Sequence, residues 1–228
     1  MKLKSFFIRF IYGGEVLAKT NSPINGEIVV MEDLFGKREM KIGKVTQSGG
    51  LVKRLWREIF NFKFLILNQF LNSNFKCLIL GLGCGNAAKI VSERFPDCKI
   101  TGVEIDPKVI EIGKKYFGLN EIPNLEIVVT DAIEEITHPK YLIHNTKYNL
   151  ILVDLYLGTQ FPKEAESDEF LTNLKKILSD EGQIILNRLY YNQKLKAEAD
   201  SFLQKIKGYF LKVKTRKAIT NLLIFASN

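Results

Sequence analysis

From residue 75 to the end of the chain, short apolar runs alternate with stretches whose apolar residues recur at helical spacing. The runs at 77–80, 100–105, 125–129, 148–153 and 183–189 have the length and composition of strands buried on both faces of a parallel sheet. The patterns between them predict helices over 86–95, 107–117, 168–178 and 193–207. A helix or turn over 132–143 is broken near His138 and Pro139. Two more strand-like runs, 209–217 and 221–227, close the chain as an antiparallel pair. This alternation predicts an α/β, Rossmann-like, mostly parallel twisted sheet with a C-terminal antiparallel hairpin.

The first fifty residues follow a different rule. Runs at 16–19, 27–32 and 37–45 are β-like, with turn residues at 21–26 and 34–36 between them. Alternation sets Met40 and Ile42 on one face and Glu39 and Lys41 on the other. The expected organisation is a small β region over 1–50 beside a Rossmann-like domain over 51–228. A helix over 51–72 opens the larger part, with Trp56 as its packing anchor.

Composition narrows the class. At 228 residues and 46% hydrophobic, the chain can bury a full core without disulfides or a metal. The three cysteines, Cys77, Cys84 and Cys98, read as reduced thiols of a cytoplasmic protein. With only His138 and His144, no zinc-type cluster forms. The basic, apolar start is broken by Arg9 and lacks a cleavage site, so no signal peptide is expected. Asn61, Lys63 and Asn68 interrupt the apolar stretch 59–75 and argue against a membrane span. The net charge of +8 is mostly lysine spread along the chain. It permits an anionic partner without requiring one, and nucleic acid is not the expected ligand. Lys212, Lys214 and Arg216 alternate along a late strand, where lysine commonly protects a sheet edge.

The candidate chemistry gathers where strands end. Gly81, Gly83 and Gly85 follow the first strand of the larger part and precede a helix. Glycine tolerates positive φ and lets a ligand approach the backbone, and the helix start offers unpaired N–H groups. Glu104 ends the next strand about 20 residues further on, where an acid can accept both hydroxyls of a ribose. Asp131 and Asp154 end the following two strands, with helix capping and loop bonding as their plainer roles. An adenosine-type ligand is the favoured occupant.

This order of elements, with Val103-Glu-Ile-Asp-Pro-Lys-Val-Ile110 after the glycine turn, resembles the class I S-adenosylmethionine-dependent methyltransferase fold. Within that fold the chain resembles the spermidine synthase (polyamine aminopropyltransferase) family over nearly its whole length. The resemblance implies S-adenosylmethionine or its decarboxylated form as ligand. It implies that Gly81, Gly83 and Gly85 surround the sulfonium and sugar, that Glu104 holds the ribose, and that Asp131 and Ala132 meet the adenine. Gln47 would reach the ligand from the β region. The chain also departs from the family pattern. Cys84 stands where the family's glycine motif carries an acid, and Leu157 where its catalytic loop carries the amine's base.

A polyamine is an ammonium near neutral pH and must lose a proton before it attacks. Leucine cannot take that proton, so ordinary putrescine transfer is not expected; Asp154 or Tyr156 are the candidates to act instead. The leading expectation is a spermidine synthase-like transferase acting on a small-molecule acceptor. Authentic aminopropyl transfer with relocated groups, and a non-catalytic binding protein, remain the alternatives. Nucleic-acid methylation is disfavoured because no Asn/Asp-Pro-Pro-aromatic stretch follows the fourth strand. Cys84 as a nucleophile is disfavoured because no histidine stands near it in sequence. The sequence is compatible with a homodimer.

Overall fold

The computed structural model describes residues 14–43, 45–60, 74–138 and 146–228. The expectations for the amino-terminal run, for the helix beyond Phe60 and for 139–143 lie outside the described residues.

The first described elements form a four-stranded antiparallel sheet: β1 (Glu15–Ser22), β2 (Gly26–Glu32), β3 (Arg38–Ile42) and β4 (Val45–Ser48), in that spatial order. The expected single strand over 37–45 is in fact a hairpin. Gly43 takes φ 56°, and the chain folds back so that Ile42 pairs with Val45. The polar alternation hid this turn, because only the glycine interrupts it.

After α1 (Gly50–Phe60) come β5 (Lys76–Leu80), α2 (Asn86–Arg94), β6 (Lys99–Glu104), α3 (Pro107–Tyr116), β7 (Leu125–Val129) and α4 (Ala132–Thr137). They are followed by β8 (Tyr148–Val153), α5 (Asp168–Ile177), β9 (Leu178–Leu189), α6 (Gln193–Tyr209), β10 (Lys212–Ala218) and β11 (Asn221–Ser227). Seven of these strands form one sheet in the order β10-β11-β9-β8-β5-β6-β7. The pairs from β9 to β7 are parallel, and β11 runs antiparallel between β9 and β10. β5 lies between β6 and β8, so the strand order reverses beside it. In open α/β sheets, ligands bind at that switch point.

Strand alternation divides the core. Cys77 and Ile79 of β5 and Leu150 and Leu152 of β8 face α1 and α2, where Trp56, Ile59 and Val91 pack. Leu78, Leu80, Ile151 and Val153 face the other way, onto Ile136, Phe170, Leu174 and Ile206 of α4, α5 and α6. Helix starts use local capping: Asp106 accepts from Lys108 N at 2.9 Å with Pro107 following, and Ser167 accepts from Phe170 N at 3.1 Å. α5 stops at Ile177, one residue early, and extended backbone begins at Leu178, so Asp180–Gly182 belong to the irregular entry of β9. Lys212 and Lys214 are exposed on the outermost strand, β10.

The smaller sheet docks through a third apolar cluster, in which Ile28, Val30 and Met40 meet Cys84, Val109 and Ile112. A buried polar clasp accompanies it. Asp106, fully buried, accepts from Ser22 Oγ at 2.5 Å and Asn25 Nδ2 at 2.6 Å. The clasp ties the β1–β2 turn to the start of α3, while β4 meets the glycine turn through Ser48, whose Oγ accepts from Cys84 N.

Candidate active site

A cavity of about 280 Å³ opens at the ends of β5, β6, β7 and β8, roofed by β4 and α1. Among the residues singled out in the sequence, it brings together Gln47, Gly81, Gly83, Glu104, Asp131, Ala132, Asp154 and Tyr156. It does not bring in Cys84 or Gly85. The Cys84 thiol turns into the third apolar cluster, 3.4 Å from the Met40 sulfur, and burial pushes it up to about 12. That is an inert thiol. A Cβ on Gly85 would lie 2.5 Å from Leu119 Cδ1, so this glycine serves the packing beneath the turn.

Gly81 has φ 89°, and a Cβ there would stand 2.2 Å from the Asp154 carbonyl oxygen. Its N–H donates to Val103 O at 3.0 Å, while Asp154 N donates to Leu80 O at 2.8 Å. The turn is thereby locked between the two neighbouring strands. Glu104, 9% exposed, accepts from Gly83 N at 2.8 Å through one oxygen and from Asp106 N at 3.0 Å through the other. Burial raises its carboxyl above the usual range, and those two N–H groups oppose the rise. Each oxygen keeps a lone pair for a further donor. Asp131 caps α4 by accepting from Ile133 N at 2.8 Å, and it also reaches the cavity wall. Capping and lining coexist.

Asp154 Oδ1 accepts from Asn187 Nδ2 at 2.8 Å. Burial pushes its carboxyl up to about 6, with the Asn187 amide pulling the other way. Behind it, Asn187 Oδ1 accepts from Asn221 Nδ2 at 2.8 Å, and Asn221 Oδ1 accepts from Thr220 Oγ1 at 3.0 Å. Every donor in this chain points toward Asp154. The Tyr156 hydroxyl accepts from Leu189 N at 2.7 Å and donates to Asn187 O at 3.3 Å, so the backbone occupies it. Burial raises its pKa further, which suits a fixed wall better than a base. Gln47 Nε2 donates to Gly158 O at 2.8 Å and ties the roof to the loop after β8. Leu157, 48% exposed, stands on that loop at the cavity rim.

Several cavity residues escaped the sequence reading. Ser48 Oγ accepts from Cys84 N at 3.3 Å. Asn86 Nδ2 is buried without an acceptor, and Glu164 reaches the rim from a short 3-10 turn, Lys163–Glu166. Asn187 left a signal, since an asparagine inside the apolar run of β9 goes against strand composition. Trp56, 1% exposed, is core as expected and also lines the cavity. Glu104, Asp131, Glu134, Asp154 and Glu164 supply all the charge on the wall, and no lysine, arginine or histidine joins them among the described residues.

Reversed strand order, a glycine turn at the switch point and acids on the flanking strand tips define the class I S-adenosylmethionine-dependent methyltransferase fold. Comparison with known proteins agrees: residues 73–227 match the family described as "Methyltransferase domain", and the chain belongs to it. It is also similar to spermidine synthases and polyamine aminopropyltransferases, the resemblance the sequence suggested. It is 28% identical to the polyamine aminopropyltransferase of Vibrio vulnificus over 151 residues, 66% of this chain and 50% of that protein. The chain spans half the length, or less, of the first curated relatives it matches. A probable spermidine synthase from Corynebacterium glutamicum shares the fold at TM-score 0.75 and 18% identity, over 93% of this chain and 79% of the other. Human methyltransferase-like protein 13, solved in complex with SAH, aligns at TM-score 0.59 and 26% identity over 70% of this chain and 74% of its own. No helix among the described residues is long and apolar enough to cross a membrane.

Proposed function

We propose that the chain is a transferase that moves an alkyl group from S-adenosylmethionine, or its decarboxylated form, to an amine. The observation that carries this reading is that every charged residue described on the cavity wall is an acid, most of them at the strand tips. A sulfonium donor and an amine acceptor are both cations, and low-dielectric carboxylates favour them. The donor's fit rests on Glu104, whose free lone pairs suit a ribose diol, and on the positive-φ glycines, which leave no Cβ in the way. Asp131 and Ala132 offer the adenine wall. The bound donor supplies an electrophilic carbon on sulfur. With no cation on the described wall to receive an α-carboxylate, the decarboxylated donor is favoured.

Glu104→Gln tests donor binding. The amide would turn a donor toward Gly83 N or Asp106 N and would leave one acceptor fewer for the ribose. Donor affinity should fall about 10–100-fold, given 1.5–3 kcal/mol for a charge-assisted bond. Fluorescence of Trp56, the chain's single tryptophan and a cavity residue, reads the titration. Unchanged affinity would remove Glu104 from the site.

With putrescine and decarboxylated S-adenosylmethionine, spermidine formation should be absent or slow, because Leu157 leaves the rim without a base at that point. A positioned carboxylate is worth about 10²–10⁴-fold. Mass spectrometry of the products decides the matter, and robust turnover would favour a second reading. In that reading Glu164, an exposed acid on the same rim as Leu157, does the work of the missing carboxylate.

A further inference from the structure

A second concavity, of about 850 Å³, lies behind the glycine turn and adjoins the first at Asn86. Its wall comes from the β2–β3 turn, α1, the start of α2 and the end of α3. Eight lysines and arginines line it against one acid, Glu121. Arg38 and Arg54 are engaged by Glu32 and Glu58, and Lys115 lies over the Tyr116 ring. Lys37, Lys53, Arg57, Lys89 and Lys114 carry no ion pair among the described residues. These cations repel one another: burial, Arg57 and Lys89 together lower the Lys53 pKa. Holding like charges together without partners is costly unless an anion shares the groove. Cations are thus concentrated here and kept out of the acidic cavity.

One more feature narrows the anion. Phe35, 84% exposed, sits at the tip of the turn that supplies Gly36 and Lys37 to the groove. The turn is firmly built, since Asp33 Oδ1 accepts from both Phe35 N at 2.8 Å and Lys37 N at 2.9 Å. An exposed aromatic ring on a hydrogen-bonded turn, two residues from the unpaired Lys37 of the groove, matches what a single nucleic-acid strand offers, stacking bases next to phosphates. An acidic peptide would satisfy the cations but has no base in every repeat to stack on the ring.

We propose that this groove binds single-stranded nucleic acid, its phosphates along the unpaired lysines and arginine and a base on Phe35. The site does not depend on the reaction in the acidic cavity. Five neutralised phosphates give a slope of log K against log salt of about −3.5, at about −0.7 per phosphate for a single strand.

Fluorescence anisotropy of a labelled oligo-dT strand over a salt series tests the proposal. Lys114→Ala and Arg57→Ala should each flatten the slope by about 0.7. Phe35→Ala should keep the slope and weaken binding about 5–100-fold, the range for loss of one stacked base. Both expected patterns use exposed positions, and circular dichroism verifies that each variant is folded. The proposal is overturned by a flat salt series, by equal binding of poly-glutamate at matched charge, by a preference for duplex, or by a Phe35→Ala variant that binds as the parent does.

Discussion

Asp154→Asn should abolish most transfer while leaving the fold intact. The carboxyl stands at the tip of β8, held by Asn187 and backed by Asn221 and Thr220. An amine attacks only when neutral, and the proposed role of Asp154, a half-buried acid of the cavity, is to take the proton. Loss of such a group lowers kcat by about 10²–10⁴. The pH profile carries the same assignment. Since burial raises the carboxyl to about 6, activity should fall as pH drops through that value and level off above it. The variant should show no such limb.

Stability should move in the opposite direction. A carboxyl raised from 3.8 to about 6 binds its proton more tightly in the folded state, so ionisation destabilises the fold as pH rises across that window. The amide that replaces it cannot ionise. The variant should therefore melt higher than the parent well above pH 6, with the gap closing below pH 3.8. A variant that loses activity and also melts lower at high pH would mark Asp154 as structural.

Gly81→Ala should be the most damaging substitution of fold and binding together. The new Cβ would meet the backbone carbonyl of Asp154 at 2.2 Å, and the residue would still have to hold φ 89°. Neither the strand tip nor the carbonyl is a flexible side chain that could swing away. Left-handed strain and overpacking each cost about 1–3 kcal/mol, so a loss of roughly 2–6 kcal/mol is expected. Gly158→Ala is the control. Its φ of 62° is also positive, but nothing lies within 4 Å of the added Cβ, so only the conformational cost of about 1 kcal/mol applies. Thermal denaturation should separate the two clearly, and similar melting temperatures would refute the close approach.

The parallel sheet was legible because its strands are largely apolar runs, four of which end at or within two residues of a glycine or an acid. Leu125–Val129 and Tyr148–Val153 could be placed to the residue for that reason. The β3–β4 hairpin was not, since Gly43 turns the chain inside a polar alternation that continues on both sides. The strand-tip acids announced themselves, while their supports did not. Asn187 reaches Asp154 because β9 pairs with β8, and Asn221 backs Asn187 because β11 pairs with β9, both facts of topology. Cys84 and Gly85 belong to the same motif as Gly83, yet the turn directs them away from the cavity, and spacing alone does not reveal direction. The groove was invisible for a related reason. Its cations come from four separated segments, each ordinary in sequence, and only the packing of α1, α2 and α3 against the small sheet assembles them.

The measurement that bears most directly on the whole account is calorimetric titration of the folded chain with S-adenosylmethionine, its decarboxylated form and methylthioadenosine. One site per chain is predicted, with both sulfonium compounds binding more tightly than the neutral thioether and the decarboxylated donor tightest, because all the charge described on the wall they meet is acidic. No binding of any of the three to a chain shown to be folded, or tighter binding of the thioether than of either sulfonium, would contradict it.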